Sequence, residues 1–256
     1  MSSASSLELI AAIERHSARA WPAPFVMSLN GWDMRFAPNS SSKRVNSLNP
    51  VAPVAGQFRA ALKAYVEECQ NRNCQAHVRL LPLAREDERE ILSSLGIAGG
   101  GATSVELIDD LSRASADRDV VVSSDVTDAW LDAYTGAHGY APDERAAVRS
   151  ILEAVPHVMG FAHIVENGIP VAAGRTALID GLAGFYQIAT APDARRKGHA
   201  RQVMSALMAF AAGNGAQRGY LQVEMRNAPA RALYGSLGFN PLYNYDYWPV
   251  PTSIAL

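Results

Sequence analysis

One stretch of the sequence combines a strand, a turn, three cations and a glycine in an order that favours anion binding. Tyr186–Thr190 has the composition of a strand, and Pro192-Asp193 marks a turn. Arg195–Lys197 then places three cations beside Gly198, where the backbone can approach a ligand closely because no side chain intervenes. A helix is predicted to begin near Ala200.

The predicted helix supplies the second half of this anion site. Its apolar residues recur at the spacing of a buried stripe: Val203, Ala206, Leu207, Phe210 and Ala211. The first turn of a helix has unpaired N–H groups and a partial positive charge. Together with the cations and the glycine, this helix start predicts a site for an anion, most naturally a pyrophosphate.

Two motifs in this half of the chain resemble those of a known superfamily. Arg195-Arg-Lys-Gly-His-Ala200, which follows Pro192, resembles motif A of the GNAT superfamily of acyl-CoA-dependent N-acyltransferases, Arg/Gln-x-x-Gly-x-Gly/Ala. Leu221–Asn227 is similar to the fifth strand of that fold, and Ala228–Phe239 is similar to its motif B, Asn-x-x-Ala-x-x-Leu-Tyr-x-x-x-Gly-Phe. Both motifs occur in the expected order, about one helix and one strand apart.

The resemblance implies a binding site for acetyl-CoA. The residues that it assigns to the cofactor are Ile188, Ala189, Thr190, Arg195, Arg196, Lys197, Gly198, His199, Ala200, Asn227, Ala230 and Tyr234. Within this set, Ile188 and Thr190 would contact the pantetheine arm, and an N–H of Ile188 or Ala189 would face the acyl oxygen. The loop alone could also be a solvated basic turn, but the presence of motif B favours the cofactor interpretation.

The resemblance also implies catalytic roles. Tyr234, the motif B tyrosine, would be the general acid near the CoA sulfur, although a half-buried helix aromatic would look the same in sequence. Many family members carry a glutamate on the strand before the phosphate loop, whereas Gly184–Ile188 contains no carboxylate. Glu224 is the candidate base, with a solvated surface glutamate as the alternative. A relayed water or an already neutral amine would make a protein base unnecessary.

Aromatic residues before and after the motifs could form the acceptor pocket. The substrate-binding candidates are Trp130, Tyr134 and Tyr245, which could bind a cationic amine through their rings. The alternative is that most of these aromatics belong to the core. The last predicted strand, Tyr243–Trp248, would permit homodimer pairing if it were exposed.

Composition narrows the functional class. The 256 residues have a net charge of −2 and a pI near 6.3, which argues against a nucleic-acid partner. No apolar run or leader indicates a membrane protein, so a cytoplasmic bacterial enzyme is expected. Cys69 and Cys74 are predicted to be free thiols, and the six histidines show no ligand spacing, so no metal is expected.

The order of elements predicts an α/β (α+β) fold with two units. A mixed, mostly antiparallel GNAT sheet flanked by helices is expected, with a degenerate GNAT-like domain over residues 1–115 and a catalytic domain over 116–256. The boundary is placed in the polar stretch Ser112–Arg118. The first unit lacks an Arg-x-x-Gly-x-Gly/Ala loop, and the two units do not form an obvious sequence repeat.

The resemblance therefore predicts an N-acetyltransferase that moves an acetyl group from acetyl-CoA to a small-molecule amine or an amino acid. A non-catalytic acyl-CoA sensor is one alternative, because the strand carboxylate is missing. A transferase that uses another acyl-CoA, or acts on a protein amine, is another. Fold-level similarity does not select the acceptor.

Overall fold

The structure is a computed structural model that describes residues 3–38, 40, 42–52, 57–112, 114–115 and 120–254. Within these ranges seven α-helices alternate with eleven strands. The helices are α1 (Ser3–Ala20), α2 (Phe58–Arg72), α3 (Glu86–Ser94), α4 (Asp128–His138), α5 (Pro142–Glu153), α6 (His199–Gly213) and α7 (Ala228–Ser236). The strands are β1 (Phe25–Leu29), β2 (Trp32–Phe36), β3 (Ser47–Pro50), β4 (Ala76–Leu80), β5 (Gly100–Ile108), β6 (Val121–Ser123), β7 (Val158–Glu166), β8 (Ile169–Ile179), β9 (Leu182–Thr190), β10 (Arg218–Glu224) and β11 (Asn240–Val250).

The chain forms two compact units, and each is built from segments that are not consecutive in the sequence. The first unit comprises residues 1–105, 223–228 and 242–256, and the second comprises residues 106–222 and 229–241. The domain boundary at residues 115 and 116 remains a prediction. Part of the stretch in which it was placed, residues 113 and 116–119, lies outside the described residues.

The first unit has a sheet with strand order β1-β2-β3-β4-β11. Its strands alternate between two buried faces. Trp32, Leu48 and Val78 belong to an apolar core that also contains residues of α2 and α3. On the other face Arg79 pairs with Glu14 of α1. The sheet of this unit is therefore covered on both sides, by apolar packing on one side and by a buried polar layer on the other.

The position of the last strand bears on one prediction. Residues Asp246–Val250 of β11 pair antiparallel with Leu80–Ala76 of β4, so β11 belongs to the sheet of the first unit. Tyr243, Tyr245 and Tyr247 on it are buried. The condition for homodimer pairing through this strand, that it be exposed, is therefore not met at these residues, and a homodimer remains a prediction. The reason is that β11 pairs with β4, a strand far away in the chain, and local sequence patterns do not report such a pairing.

The second unit has a sheet with strand order β5-β10-β9-β8-β7-β6. The pairs β6–β7, β7–β8 and β8–β9 are antiparallel, while β9 and β10 are parallel. Neighbouring strand residues point to opposite faces. A Cβ on Gly174 would meet Val203 and Leu207 of α6, whereas Arg175 acts electrostatically on Tyr134 of α4. Helices α4 and α6 therefore cover opposite faces of a mixed sheet, and the predicted fold class is confirmed.

One further sequence prediction, that of free thiols, can be checked against the described residues. Cys69 and Cys74 are buried free thiols, and burial raises the pKa of Cys69 to about 12. Thr127 caps α4, because its hydroxyl accepts a hydrogen bond from the Trp130 backbone N–H at 3.1 Å. None of the described helices carries an apolar segment long enough to span a membrane.

Candidate functional site

The loop between β9 and α6 has the backbone geometry that the sequence predicts for an anion site. A short 3-10 turn, Pro192–Ala194, follows β9. Arg196 then has φ 63°, and Gly198 at the N-cap of α6 has φ 92°. Apart from the chain neighbours of Gly198, no atom of the described residues lies within 4 Å of the position that a Gly198 Cβ would occupy. Glycine is thus required by the left-handed backbone, and the space in front of it is open to a ligand.

A carboxylate that the sequence did not identify organises the cations of this loop. Glu166, at the end of β7, lies 3.0 Å from Lys197 Nζ and 3.1 Å from His199 Nε2. Lys197 is half-exposed, while His199 is buried in the first turn of α6. The hydrogen bond from Lys197 is the main cause that lowers the pKa of Glu166. Glu166 therefore fixes the position of two loop residues, and Arg195 and Arg196 remain exposed to solvent.

Strand β9, which precedes the loop, stops pairing with β10 before its end and forms a bulge in its pairing with β8. The parallel ladder joins Leu182–Phe185 of β9 to Arg218–Leu221 of β10 and ends there. On the other side, β9 pairs with β8 up to Tyr186 and again from Ala189, with a register shift between them. The segment that contains Ile188, Ala189 and Thr190 consequently has an edge that β10 does not pair. Backbone N–H and C=O groups on such an edge can bind a ligand chain.

Tyr234 lies on the buried face of α7. Its ring packs edge-on against Phe239, with centroids 6.2 Å apart, and 8% of the residue is exposed. Burial, and then the charge of Glu106, raise the pKa of Tyr234 to about 12. The phenol is therefore protonated at neutral pH and can act as a proton donor. Ala230, one turn earlier on α7, is partly exposed.

Glu106 has no local sequence signal, because it lies more than 100 residues away from α7 in the chain. Glu106 is on β5, its side chain is 3% exposed, and it lies 3.3 Å from Arg231 Nε of α7. Its partner Arg231 is one helical turn before Tyr234 on the same helix. The ion pair therefore holds α7 against β5 and places a negative charge near the phenol.

Glu224 and Asn227, both in the first unit, lie on the surface. Glu224 Oε2 is 2.6 Å from Arg226 Nε, and both side chains are largely exposed. The Asn227 N–H donates to the Glu224 carbonyl at 2.9 Å, which closes a turn between β10 and α7. These surroundings favour the alternative considered for Glu224, a solvated surface glutamate.

The three predicted acceptor-binding aromatics have different environments. Trp130 is fully buried, and its Nε1 donates to the Gly174 carbonyl at 2.7 Å, which favours the core alternative. Tyr245 is 3% exposed and lies 3.7 Å from the Arg79 guanidinium in the first unit, so it too belongs to a buried layer. Tyr134 is also buried, but it lies at the border of a partly exposed cluster.

That cluster contains Tyr134, His138 and Tyr140. The Tyr134 ring centroid is 4.8 Å from that of His138 and 5.8 Å from that of Tyr140, which is 39% exposed. Burial is the main cause that lowers the pKa of His138, and the charge of Arg195 lowers it further. The cluster therefore lies close enough to the phosphate loop to respond to its charge. Among the described residues no group of His, Cys, Asp and Glu side chains is arranged to bind a metal.

Comparison with solved structures identifies the class of protein. A "GCN5-related N-acetyltransferase from Kribbella flavida" superposes with a TM-score of 0.71 at 17% identity, covering 94% of this chain and 95% of that one. A "Tandem GNAT protein from the clavulanic acid biosynthesis pathway" superposes with a TM-score of 0.66 at 11% identity, covering 95% and 89%. The fold is that of the GNAT superfamily, as the sequence motifs predicted.

Sequence comparison then identifies the family. The sequence model described as "Probable histone acetyltransferase Rv0428c C-terminal" matches residues 8–248, and the chain belongs to that family. The "Uncharacterized N-acetyltransferase YobR" of Bacillus subtilis (strain 168) is 29% identical over 242 residues, which cover 92% of this chain and 96% of the relative. The protein is an acetyltransferase of the GNAT type.

Proposed function

We propose that this protein transfers an acetyl group from acetyl-CoA to the primary amine of a small molecule or an amino acid, by direct attack in a ternary complex. One observation carries the proposal. Strand β9 loses its β10 partner beyond Phe185 and bulges at the next residues. It then leads directly into a loop whose last residue, Gly198, has φ 92° at the start of α6. A thioester carrier with a pyrophosphate fits this sequence of features.

The chain's own groups would bind the donor along this path. Arg195–Ala200 and the first turn of α6 would hold the pyrophosphate, because they combine cations, open backbone N–H groups and a positive helix end. Ile188 and Thr190 would pair with the pantetheine arm through their backbone, and Ala230 would contact it further along. The donor itself supplies the activated thioester.

The proposed reaction forms one bond and breaks one. The neutral amine attacks the thioester carbonyl, an N–C bond forms, and the C–S bond breaks to release the thiolate of CoA. An N–H of Ile188 or Ala189 would stabilise the negative charge on the acyl oxygen. Tyr234 would donate its proton to the thiolate and recover one from solvent. The pKa of Tyr234 near 12 keeps its phenol protonated for this step.

In this proposal, removal of the amine proton does not require a base from the protein. Glu224 is the base candidate from the sequence, yet it is exposed and paired with Arg226. We propose that the amine arrives neutral or loses its proton through water, and that positioning supplies most of the rate. A Glu224→Gln enzyme with a normal pH–rate profile would support this, whereas loss of the lower limb would restore Glu224 as the base.

The acceptor would bind beside the cluster of Tyr134, His138 and Tyr140. Aromatic rings of which two, His138 and Tyr140, are exposed favour a cationic or aromatic amine. The family description names a histone acetyltransferase, which favours a protein amine as the second candidate. We propose a bacterial enzyme, like the Bacillus subtilis relative, that acts in the cytoplasm.

Calorimetry with acetyl-CoA, followed by a thiol-release assay on the same sample, tests the proposal. The acceptor panel contains small amines, amino acids, and peptides with a free N-terminus or a lysine. Binding with turnover of a small amine supports the main proposal, and turnover of peptides alone supports the second candidate. An absence of acetyl-CoA binding would contradict both, and tighter binding of a longer acyl-CoA would change the donor.

A further inference from the structure

The bulge in β9 contains a strained residue that something must hold in place. Arg175 of β8 pairs with Tyr186, and Ala173 pairs with Ala189, so Gln187 and Ile188 together oppose the single residue Gly174. Gln187 has φ 55°, in the left-handed region. A non-glycine residue adopts this conformation only when its surroundings stabilise it.

A buried cation on the neighbouring strand holds Gln187. The Arg175 side chain is 1% exposed, and its Nε donates a hydrogen bond to Gln187 Oε1. The same guanidinium lies 4.6 Å from the centroid of the Tyr186 ring and donates from Nη1 to Met159 Sδ at 3.8 Å. A hydrogen bond from a buried charged donor is stronger than a neutral one at the surface. Gln187 is thus tied to a rigid group.

Ile188, the second residue of the bulge, is held from the opposite face of the sheet. A Cβ at Gly174 would lie 2.5 Å from Ile188 Cδ1 and 2.7 Å from Val203 Cγ1. Ile188 therefore packs directly over the Gly174 backbone, against α6. Because Gln187 and Ile188 are held on opposite faces of the sheet, the peptide group between them, which carries the Ile188 N–H, has one orientation.

We propose that Arg175 is a positioning residue for acetyl transfer, acting through Gln187 to fix the bulge whose N–H groups polarise the acyl carbonyl. The inference rests on the proposed binding of acetyl-CoA along β9. The buried positive charge of Arg175 also lies one side chain away from the bulge, where it favours the negative charge that develops on the acyl oxygen. Motif A does not include Arg175, which precedes its phosphate loop by twenty residues.

The first experiment compares Arg175→Met with Arg175→Lys. Arg218→Met is the control, because Arg218 is on β10, is partly exposed and pairs with Asp109. We measure amide hydrogen exchange at residues 187–189 and 182–185, the Kd of acetyl-CoA, and kcat. Arg175→Met should raise exchange at residues 187–189 by about 10-fold or more and lower kcat by roughly 10- to 100-fold. Exchange at residues 182–185 should not change, and Kd should change less than about 3-fold.

The control and the lysine variant complete this test. Arg218→Met should leave the exchange at the bulge and kcat unchanged, and Arg175→Lys should recover part of both because it keeps the charge. Unchanged exchange at residues 187–189 in Arg175→Met would overturn the inference. The exchange data need no acceptor and no donor. If the wild type failed to bind acetyl-CoA, the proposed function would fail while the exchange data still judged the role of Arg175.

A second pair of variants covers the case in which Arg175→Met does not fold. Gln187→Glu keeps an oxygen acceptor for Arg175, whereas Gln187→Leu removes it and preserves similar volume. Gln187→Leu should reproduce the faster exchange at the bulge and the lower kcat, and Gln187→Glu should stay within about 3-fold of the wild type. The reverse order of these two variants would overturn the inference.

Discussion

Two helices of the molecule, one in each unit, end in almost the same sequence and differ at one chemically decisive position. Arg89–Ile97 covers the end of α3, and Arg231–Phe239 covers the end of α7, with four of nine residues identical. Each segment carries a Ser-Leu-Gly sequence, and Gly96 and Gly238 both have positive φ beyond the helix end. Local sequence patterns do not reveal this repeat, because the two segments can be aligned only by their shared place at the end of a helix.

The decisive position is Tyr234 in α7 and Leu92 in α3. Leu92 is fully buried in the apolar core of the first unit, whereas Tyr234 brings a hydroxyl into the same position of its helix. The arginine of each segment pairs with a carboxylate, Arg231 with Glu106 and Arg89 with Asp246. The shared features therefore build the helix end, and the hydroxyl is what the second unit adds.

The loops show the same division. In each unit a parallel pair of strands flanks the loop, β3 with β4 and β9 with β10. Gln57 at the N-cap of α2 has φ 67°, comparable with Gly198 at the N-cap of α6. Residues 51–57 contain no lysine or arginine, and residues 53–56 lie outside the described part of the chain. The first unit thus keeps a helix start with a left-handed N-cap, but the segment before it lacks the cations that precede Gly198.

The largest expected effect comes from a carboxylate introduced at the start of α6. The same charge introduced at the start of α2 is the comparison. Gly198→Glu should weaken acetyl-CoA binding by roughly 100-fold or more, since a carboxylate would occupy the phosphate site on a left-handed backbone. Gln57→Glu, at the equivalent N-cap, should leave the Kd within about 2-fold. Calorimetry measures both. Equal losses in the two variants would show that both helix starts contribute to binding.

The comparison also shows which parts of the site the sequence could predict. The strand, loop and helix around Gly198 follow from local patterns, and so does the motif B helix with Tyr234. Glu166, Arg175 and Glu106 have no local signal, because each contacts a residue of another element of the fold. Their distance from these partners along the chain, and not their residue type, hid them. The pairing of β11 with β4 was missed for the same reason.

The hydroxyl at the decisive position should affect the rate and leave binding unchanged. Tyr234→Phe should lower kcat by roughly 10- to 1,000-fold, the usual range for loss of a general acid. The Kd of acetyl-CoA should stay the same, because the ring still packs against Phe239. Steady-state kinetics with calorimetry separates the two quantities. Leu92→Met in the first unit is the control, and an unchanged kcat in Tyr234→Phe would remove the acid role.

The paired arginines should differ in their contribution to stability. Glu106 is 3% exposed and Asp246 is 28% exposed, so removal of Arg231 leaves a buried carboxylate without this partner. Arg231→Ala should lower the free energy of unfolding by about 1–3 kcal/mol, and Arg89→Ala by less than about 1 kcal/mol. Urea unfolding monitored by fluorescence measures both. Glu106→Gln should recover part of the loss in the Arg231→Ala background, and no recovery would contradict the ion-pair explanation.

The smallest expected effect concerns pH and one buried histidine in each unit. Burial lowers the pKa of His77 in the first unit and of His163 in the second. The unfolded chain therefore takes up these protons first, so stability should be constant above the ordinary pKa near 6.5 and fall as the pH drops below it. His77 Nδ1 lies 3.2 Å from the Asn46 carbonyl, whereas the buried His163 Nδ1 has no hydrogen-bond partner within the described part of the chain. His163→Leu should thus flatten the fall in urea midpoint between pH 6.5 and 5 at little cost at pH 7.5, while His77→Asn should cost stability at both. A larger cost at pH 7.5 for His163→Leu than for His77→Asn would mean that packing, and not protonation, dominates at His163.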